Sequence, residues 1–169
     1  MDCDQTPPRL TPLEARARTF HEAELDHPDV RGLLDLHFAE MRSGSPPEAC
    51  HVLAVDGLRD PAIRFFSLRD HGGTLLGIGA LKTIGPEHGE IKSMRTAPAA
   101  LGLGAGGALL ANLVATAREM GLTRLSLETG NSSFFAPANR LYQREGFVRC
   151  GPFGAYSDTP FTLFYTREI

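Results

Sequence analysis

Closely spaced glycines lie in the middle of the chain, at Gly102, Gly104, Gly106 and Gly107. They follow a segment typical of a strand and precede a stretch with helical periodicity. Glycine has no Cβ, so its backbone can approach a ligand closely. The first turn of a helix also carries unpaired N–H groups and a partial positive charge, which suit a phosphate. The pattern therefore predicts a phosphate-binding loop that opens a helix.

The same glycines satisfy the GxGxxG pattern of dinucleotide-binding proteins, and Glu128 ends the next expected strand about 20 residues further on. Two observations count against that interpretation. In the dinucleotide fold the first glycine follows the strand almost directly, whereas residues 96–101, including Pro98, intervene here. The strand–helix–strand unit that contains the glycines also begins near residue 90, which leaves too little chain for the second half of the dinucleotide-binding fold. A glycine-rich turn that only packs a helix on a sheet is a further alternative.

Strands and helices alternate around this loop, and their order predicts one mixed α/β domain at residues 19–169 after a flexible leader at residues 1–18. Alternation within residues 90–95 places Ile91 and Ser93 on one face of a strand, and Lys92 and Met94 on the other. The strand at 124–129 is expected to lie parallel to it, across a right-handed crossover. Strands are expected at residues 19–25, 50–55, 63–69, 74–84, 90–95, 124–129, 147–150 and 161–166, and helices at 30–41, 109–120 and 134–145.

Two motifs in a fixed order carry a resemblance to a known family. Aligned with the pattern [Q/R]xxGx[G/A] after a strand, Leu101 takes the first position and Gly104 and Gly106 match the fourth and sixth, and residues 141–147 match LYxxxGF in full. With this order and spacing the chain resembles the GNAT acetyltransferases, which bind acetyl-CoA. Shorter motifs, KSMRT at 92–96, LSLETG at 125–130 and CGPF at 150–153, resemble a small bacterial branch of that superfamily.

The chain departs from the family pattern at two positions. Leu101 stands where Gln or Arg is usual, which removes a side chain that could help to bind the pyrophosphate. Phe135 stands where many relatives carry Asn, seven residues before Tyr142. Both changes leave the backbone of the loop intact, so they bear on affinity more than on identity.

The resemblance implies an acyl-CoA N-acyltransferase fold, with a mixed, mostly antiparallel central sheet flanked by helices. It also implies that the pantetheine arm pairs with the strand at 90–96 like an added strand, and that the glycine loop holds the pyrophosphate. The residues expected to bind acetyl-CoA are Met94, Arg95, Thr96, Leu101, Gly102, Leu103, Gly104, Ala105, Gly106 and Gly107.

The implied reaction is transfer of acetyl to the amine of a small-molecule acceptor, by direct attack in a ternary complex, with coenzyme A as the product. It needs a base for the amine and an acid for the thiolate. Glu90, eleven residues before Leu101, is the candidate base and Glu128 is its rival. Tyr142 is the candidate acid, because a phenol with a pKa near ~10 stays protonated at neutral pH. The alternatives are a solvated Glu90, a structural Glu128 and a core Tyr142.

Two basic residues are weaker candidates for binding the acceptor. Arg42 precedes the loop at 45–48, which in GNAT proteins lies over the acceptor side, and an arginine there could hold a carboxylate by two parallel hydrogen bonds. An ordinary charge at a helix C-terminus is the alternative. Lys92, on the central strand, is likewise a candidate for binding the acceptor. A competing function for the whole chain is a non-catalytic acyl-CoA-binding or sensing module on the same fold.

Composition limits the partners. A net charge of −3 gives no electrostatic reason to expect nucleic acid or an anionic membrane. The six histidines show no metal-ligand spacing, so no metal is expected. Cys3, Cys50 and Cys150 are scattered and odd in number, which favours reduced thiols in a cytoplasm. The last strand is expected to offer an edge for a homodimer.

Overall fold

The computed structural model describes residues 17–169, so residues 1–16, most of the expected leader, lie outside the described part of the chain. Strand β1 (Arg18–Glu22) begins at the last residue assigned to that leader. The other strands are β2 (Ile63–Asp70), β3 (Leu75–Thr83), β4 (His88–Thr96), β5 (Arg124–Gly130), β6 (Val148–Cys150) and β7 (Thr162–Glu168); the helices are α1 (Pro28–Gly44), α2 (Ala105–Glu119) and α3 (Ala136–Arg144).

The seven strands form one sheet in the order β1-β2-β3-β4-β5-β7-β6. Only β4 and β5 are parallel, as the strand–helix–strand pattern predicts, and every other neighbouring pair is antiparallel. The mixed, mostly antiparallel sheet is thereby confirmed. The expectation that the last strand is a free edge is wrong, because β7 lies between β5 and β6. The edges of the sheet are β1 and β6.

Helices cover both faces of the sheet. Ile78 and Ala80 of β3 belong to the apolar cluster that includes Leu34 of α1. Leu81 of the same strand packs in the opposite cluster, with Leu113 of α2. β3 is therefore apolar on both faces because each face meets a helix. No helix among residues 17–169 is long and apolar enough to cross a membrane.

The expected strand at residues 50–55 is wrong. Residues 50–54 are irregular, and a 3₁₀ turn follows at Val55–Arg59. Leu53 and Val55 pack against the cluster beneath α1. Their apolar side chains therefore cover the core and do not indicate strand pairing.

The helix boundaries also differ from the expected ones, since α1 continues to Gly44 and α3 begins after a 3₁₀ turn at Ser133–Phe135.

A β-bulge interrupts β4. Ala80 pairs with Lys92 and Ile78 pairs with Arg95, so two residues of β4 lie opposite Gly79 alone. One of the two, Ser93, has a positive φ of 51°. The extra residue reverses the facing of the residues after it. The expected shared face of Lys92 and Met94 is therefore wrong, because Met94 packs with the core clusters under α2 whereas Lys92 contacts Glu90.

Candidate active site

The parallel strands β4 and β5 separate beyond a short paired segment. They pair only from His88 to Glu90 on β4, although β4 continues to Thr96 and β5 to Gly130. Residues 91–96 therefore pair with β3 on one side only and leave a backbone edge on the other. A cavity of about 470 Å³ occupies the space between the separated strands, α1 and α3. Backbone groups of β4 are thus available to a ligand in this cavity.

The glycine loop has the conformation of a phosphate-binding helix start. Gly102 and Gly104 have φ values of 77° and 78°, in the left-handed region, and Gly104 is the N-cap of α2. The first hydrogen bond of the helix runs from the Ala108 N–H to the Gly104 carbonyl, so the amides of residues 105–107 precede the helical ladder. Open space lies beside the Cα atoms of Gly102 and Gly104.

Arg18 of β1 supports this loop from its carbonyl side. Its guanidinium donates to the carbonyl oxygens of Leu103 at 2.5 Å and Gly104 at 3.2 Å. The contacts fix the loop through its carbonyl groups and leave the N–H groups of residues 105–107 available, and they add a positive charge beside the loop. Arg18 falls at the end of the segment expected to form the leader, so its contact with the loop was not predicted from the sequence.

The residues expected to bind the cofactor fall into two groups. Met94, Arg95, Thr96, Leu101 and Gly106 line the cavity. The others belong to the loop and the first turn of α2, outside the cavity wall: Gly102, Leu103, Gly104, Ala105 and Gly107. The Leu101 side chain is largely exposed, and the Arg95 guanidinium forms an ion pair with Glu40 of α1.

Glu90, Lys92 and Tyr156 form a closed triad in the cavity wall. The Lys92 Nζ donates to Glu90 Oε1 at 2.9 Å and to the Tyr156 hydroxyl at 2.7 Å, and that hydroxyl donates to the same Oε1. Burial, followed by the Glu90 hydrogen bond, raises the pKa of Tyr156, so its hydroxyl stays protonated. Two hydrogen-bond donors, one of them the Lys92 cation, thus already engage the Glu90 carboxylate, so Lys92 is not free to bind an acceptor.

The rival carboxylate has a different environment. Glu128 lies near the end of β5. Its Oε1 accepts a hydrogen bond from His51 Nδ1, at a distance of 2.9 Å. Burial raises the pKa of Glu128, and the contact with His51 opposes part of that rise. The His51 ring also lies edge-to-face on the Tyr156 ring, with centroids 5.0 Å apart. His51 and Tyr156 both line the cavity, and neither was predicted as a site residue from the sequence.

Tyr142 is both a core residue and a cavity residue. It lies on α3 with 8% of its surface exposed, and its ring packs 6.1 Å from Phe147 and 6.2 Å from Tyr165 between centroids. Its side chain also lines the cavity. Burial raises its pKa to about 12, which keeps the hydroxyl protonated. The two interpretations of Tyr142 from the sequence are therefore compatible.

The cavity brings together Glu90, Lys92, Glu128 and Tyr142, but not Arg42. The Arg42 guanidinium lies over the Phe38 ring, 5.4 Å from its centroid, near the C-terminus of α1. Its proposed grip on an acceptor carboxylate therefore has no support from this position. Within residues 17–169, no group of three or more His, Cys, Asp or Glu side chains has the arrangement of a metal site.

Comparison with known proteins identifies the family. The sequence model of the acetyltransferase (GNAT) family matches residues 19–147. The chain belongs to this family. It is 42% identical over 151 residues to YedL, an uncharacterized N-acetyltransferase of Escherichia coli, covering 89% of this chain and 94% of that protein. It is 41% identical over 140 residues to YsnE, an uncharacterized N-acetyltransferase of Bacillus subtilis, covering 83% and 92% respectively.

Solved structures agree on the fold. A GNAT family acetyltransferase from Elizabethkingia anophelis, solved with acetyl-CoA bound, superposes with a TM-score of 0.67 at 20% identity, over 90% of this chain and 98% of that one. The GNAT resemblance, the acyl-CoA N-acyltransferase fold and the assignment as an acetyltransferase enzyme are confirmed. Membership of the GNAT family replaces the dinucleotide-binding interpretation of the glycine loop.

Proposed function

We propose that this GNAT enzyme transfers acetyl from acetyl-CoA to the amine of a small-molecule acceptor by direct attack in a ternary complex. The observation that carries the proposal is the unpaired edge of β4 at residues 91–96. It leads from the glycine loop, where Gly106 lies close to Thr96, into the cavity that holds Glu128 and Tyr142. The family membership and the acetyl-CoA bound to the Elizabethkingia anophelis relative support the same co-substrate here.

In this proposal the backbone binds most of the co-substrate. The pantetheine arm adds to the edge of β4 as an extra strand, through Met94, Arg95 and Thr96. The amides of Gly102 and of residues 104–107 hold the pyrophosphate at the start of α2, since the Leu103 N–H already donates to the Ala100 carbonyl. Leu101 contributes only apolar contact, because it lacks the polar group that Gln or Arg would supply. The cavity volume of about 470 Å³ lies within the usual range for small-molecule sites.

The chemical step needs a base for the amine proton and a hydrogen-bond donor for the departing sulfur. The amine nitrogen forms a bond to the acetyl carbonyl carbon, the carbon–sulfur bond breaks, and the amine proton passes to a base on the β5 side of the cavity. Of the two glutamates, Glu128 fits a part in this proton transfer better than Glu90 does, because burial raises the pKa of Glu128 whereas Lys92 and Tyr156 already engage Glu90. The Tyr142 hydroxyl donates to the departing thiolate.

The remaining assignments are also proposals. The acceptor is a cationic amine of small size, since the uncompensated charge in the cavity wall is the Glu128 carboxylate. The scattered cysteines favour a cytoplasmic enzyme. A homodimer, if formed through the sheet, would use the edge of β1 or β6.

The test is release of free thiol from acetyl-CoA across a panel of amines, with the variants Glu128→Gln and Glu90→Gln. We expect Glu128→Gln to lower turnover by roughly 10²–10⁴-fold with acetyl-CoA affinity unchanged by calorimetry. The matched control is Glu87→Gln, an exposed glutamate in the turn before β4. Full turnover by Glu128→Gln together with an inactive Glu90→Gln would assign the base to Glu90. Binding of acetyl-CoA without amine-dependent thiol release would contradict amine acetylation.

A further inference from the structure

We propose that His51 accepts the proton of the attacking amine and that Glu128 positions the His51 ring for this step. The proposal rests on the amine acetylation proposed above and specifies which atom takes the proton. No motif in the sequence points to His51, so its position in the structure carries the argument.

The hydrogen bond to Glu128 determines which nitrogen of His51 is available. His51 Nδ1 lies 2.9 Å from Glu128 Oε1. An ionised carboxylate only accepts hydrogen bonds, so Nδ1 carries the proton in this contact. The other nitrogen, Nε2, then presents a lone pair, which is the tautomer that a histidine base needs. The negative charge of Glu128 also stabilises the imidazolium that forms when Nε2 takes a proton.

A second contact holds the ring from another side. Tyr156 packs edge-to-face on the His51 ring at 5.0 Å, and Glu90 and Lys92 fix the Tyr156 hydroxyl in turn. This arrangement gives the closed triad a role, which is to orient His51. His51 itself lies in the irregular segment 50–54. Its ring is therefore held by its contacts with β5 and with the segment between β6 and β7. A base held in one orientation loses little entropy when the amine arrives.

The exposure of the two side chains favours His51 over Glu128 as the proton acceptor. The His51 side chain is 41% exposed and that of Glu128 is 11% exposed. A proton taken by His51 Nε2 can pass directly to water, whereas a proton on Glu128 must leave a largely buried site. His51 contacts Glu128 on β5 and Tyr156 between β6 and β7; Glu90 and Lys92 of β4 lie behind Tyr156, and His37 of α1 and Cys50 line the same cavity.

The test removes the imidazole and returns it from solution. We expect His51→Ala to lower turnover by roughly 10²–10⁴-fold, with acetyl-CoA affinity by calorimetry unchanged. Added imidazole should restore thiol release, and in a series of methylimidazoles the restored rate should rise with the basicity of the free imidazole. His51→Gln, which still donates to Glu128, should lose as much activity and keep the fold. His71→Ala, in an exposed turn, is the matched control.

The outcomes separate the two proposals. Turnover by His51→Ala within threefold of wild type, with Glu128→Gln inactive, would show that Glu128 takes the proton itself. Loss of activity that no imidazole restores, with acetyl-CoA binding intact, would assign His51 a structural role. Either result overturns the role of His51 and leaves amine acetylation standing. Wild-type protein that releases no thiol with any amine would overturn both.

Discussion

Replacing Tyr142 by Phe isolates one hydroxyl group in an otherwise unchanged pocket. Burial raises the pKa of Tyr142 to about 12, and an ordinary thiol titrates near ~8.5, so the two groups are about 3.5 pKa units apart. Complete proton transfer to a thiolate of ordinary basicity would therefore cost ~5 kcal/mol. The hydroxyl then acts mainly by donating a hydrogen bond to the charge that develops on sulfur. A single buried donor of that kind contributes roughly 10²–10³-fold to turnover.

The assay is the rate of thiol release at saturating acetyl-CoA and amine, with acetyl-CoA affinity measured separately by calorimetry. We expect Tyr142→Phe to lose roughly 10²–10³-fold in turnover with little change in affinity. The matched control is Tyr165→Phe, whose ring neighbours Tyr142 in the same cluster and whose hydroxyl accepts from Gln143 at 3.2 Å. Turnover of Tyr142→Phe within twofold of wild type would refute the reasoning. Equal losses in both variants would point to packing of the cluster.

Two further predictions concern stability. Lys92→Met should lower the free energy of unfolding in urea by about 3 kcal/mol, because it leaves Glu90 buried without its cation; the double variant Lys92→Met/Glu90→Gln should recover part of this loss, and no recovery would contradict the reasoning. The hydrogen bond from Arg69 lowers the pKa of Asp29 from 3.8 to about 2. Its stabilisation is therefore complete above about pH 4 and is lost as the pH falls towards 2. The full shift corresponds to ~2.4 kcal/mol, but Asp29 is 39% exposed and solvent screening reduces this to about 1 kcal/mol. Urea unfolding of wild type and Asp29→Asn should differ by that amount at pH 6 and converge near pH 2, and a constant difference would contradict the assignment.

Local patterns predicted much of the fold and part of the site. The helix after the glycine loop and the parallel strand that follows are encoded within about forty consecutive residues, so spacing alone reveals them. Glu90, Lys92, Glu128 and Tyr142 were recognisable because they lie on regular elements beside known motifs. The bulge at Ser93 was not recognisable from the sequence. Serine does not signal a positive φ, and the alternating pattern of residue types in the sequence continues through this position.

The missed residues depend on contacts between distant parts of the chain. His51 and Glu128 are 77 positions apart, Tyr156 and Glu90 are 66 apart, and Arg18 and Leu103 are 85 apart. His51 and Tyr156 lie in irregular segments that have no periodicity to place them on a face. Arg18 lies at the start of a short edge strand, next to a segment without a clear period in its sequence. Only the three-dimensional structure brings these side chains to the cavity and the loop.

The separation of β4 from β5 also divides the sheet into two halves, β1 to β4 and β5 to β7, that are joined by few backbone pairs. Strands β1 to β4 are consecutive antiparallel neighbours; β2, β3 and β4 are joined by short turns, whereas β1 pairs with β2 across residues 23–62. β5 joins them through three residue pairs, after the chain has crossed by α2, which packs on β3 and β4. Beyond Glu90 and Ser126 no backbone pairing joins the two halves, and the apolar cluster that contains Ile91 of β4 and Leu127 of β5 holds them together. A molecule whose backbone pairs with β4 in that gap binds the folded chain and not the unfolded one, so its occupancy raises the free energy of unfolding.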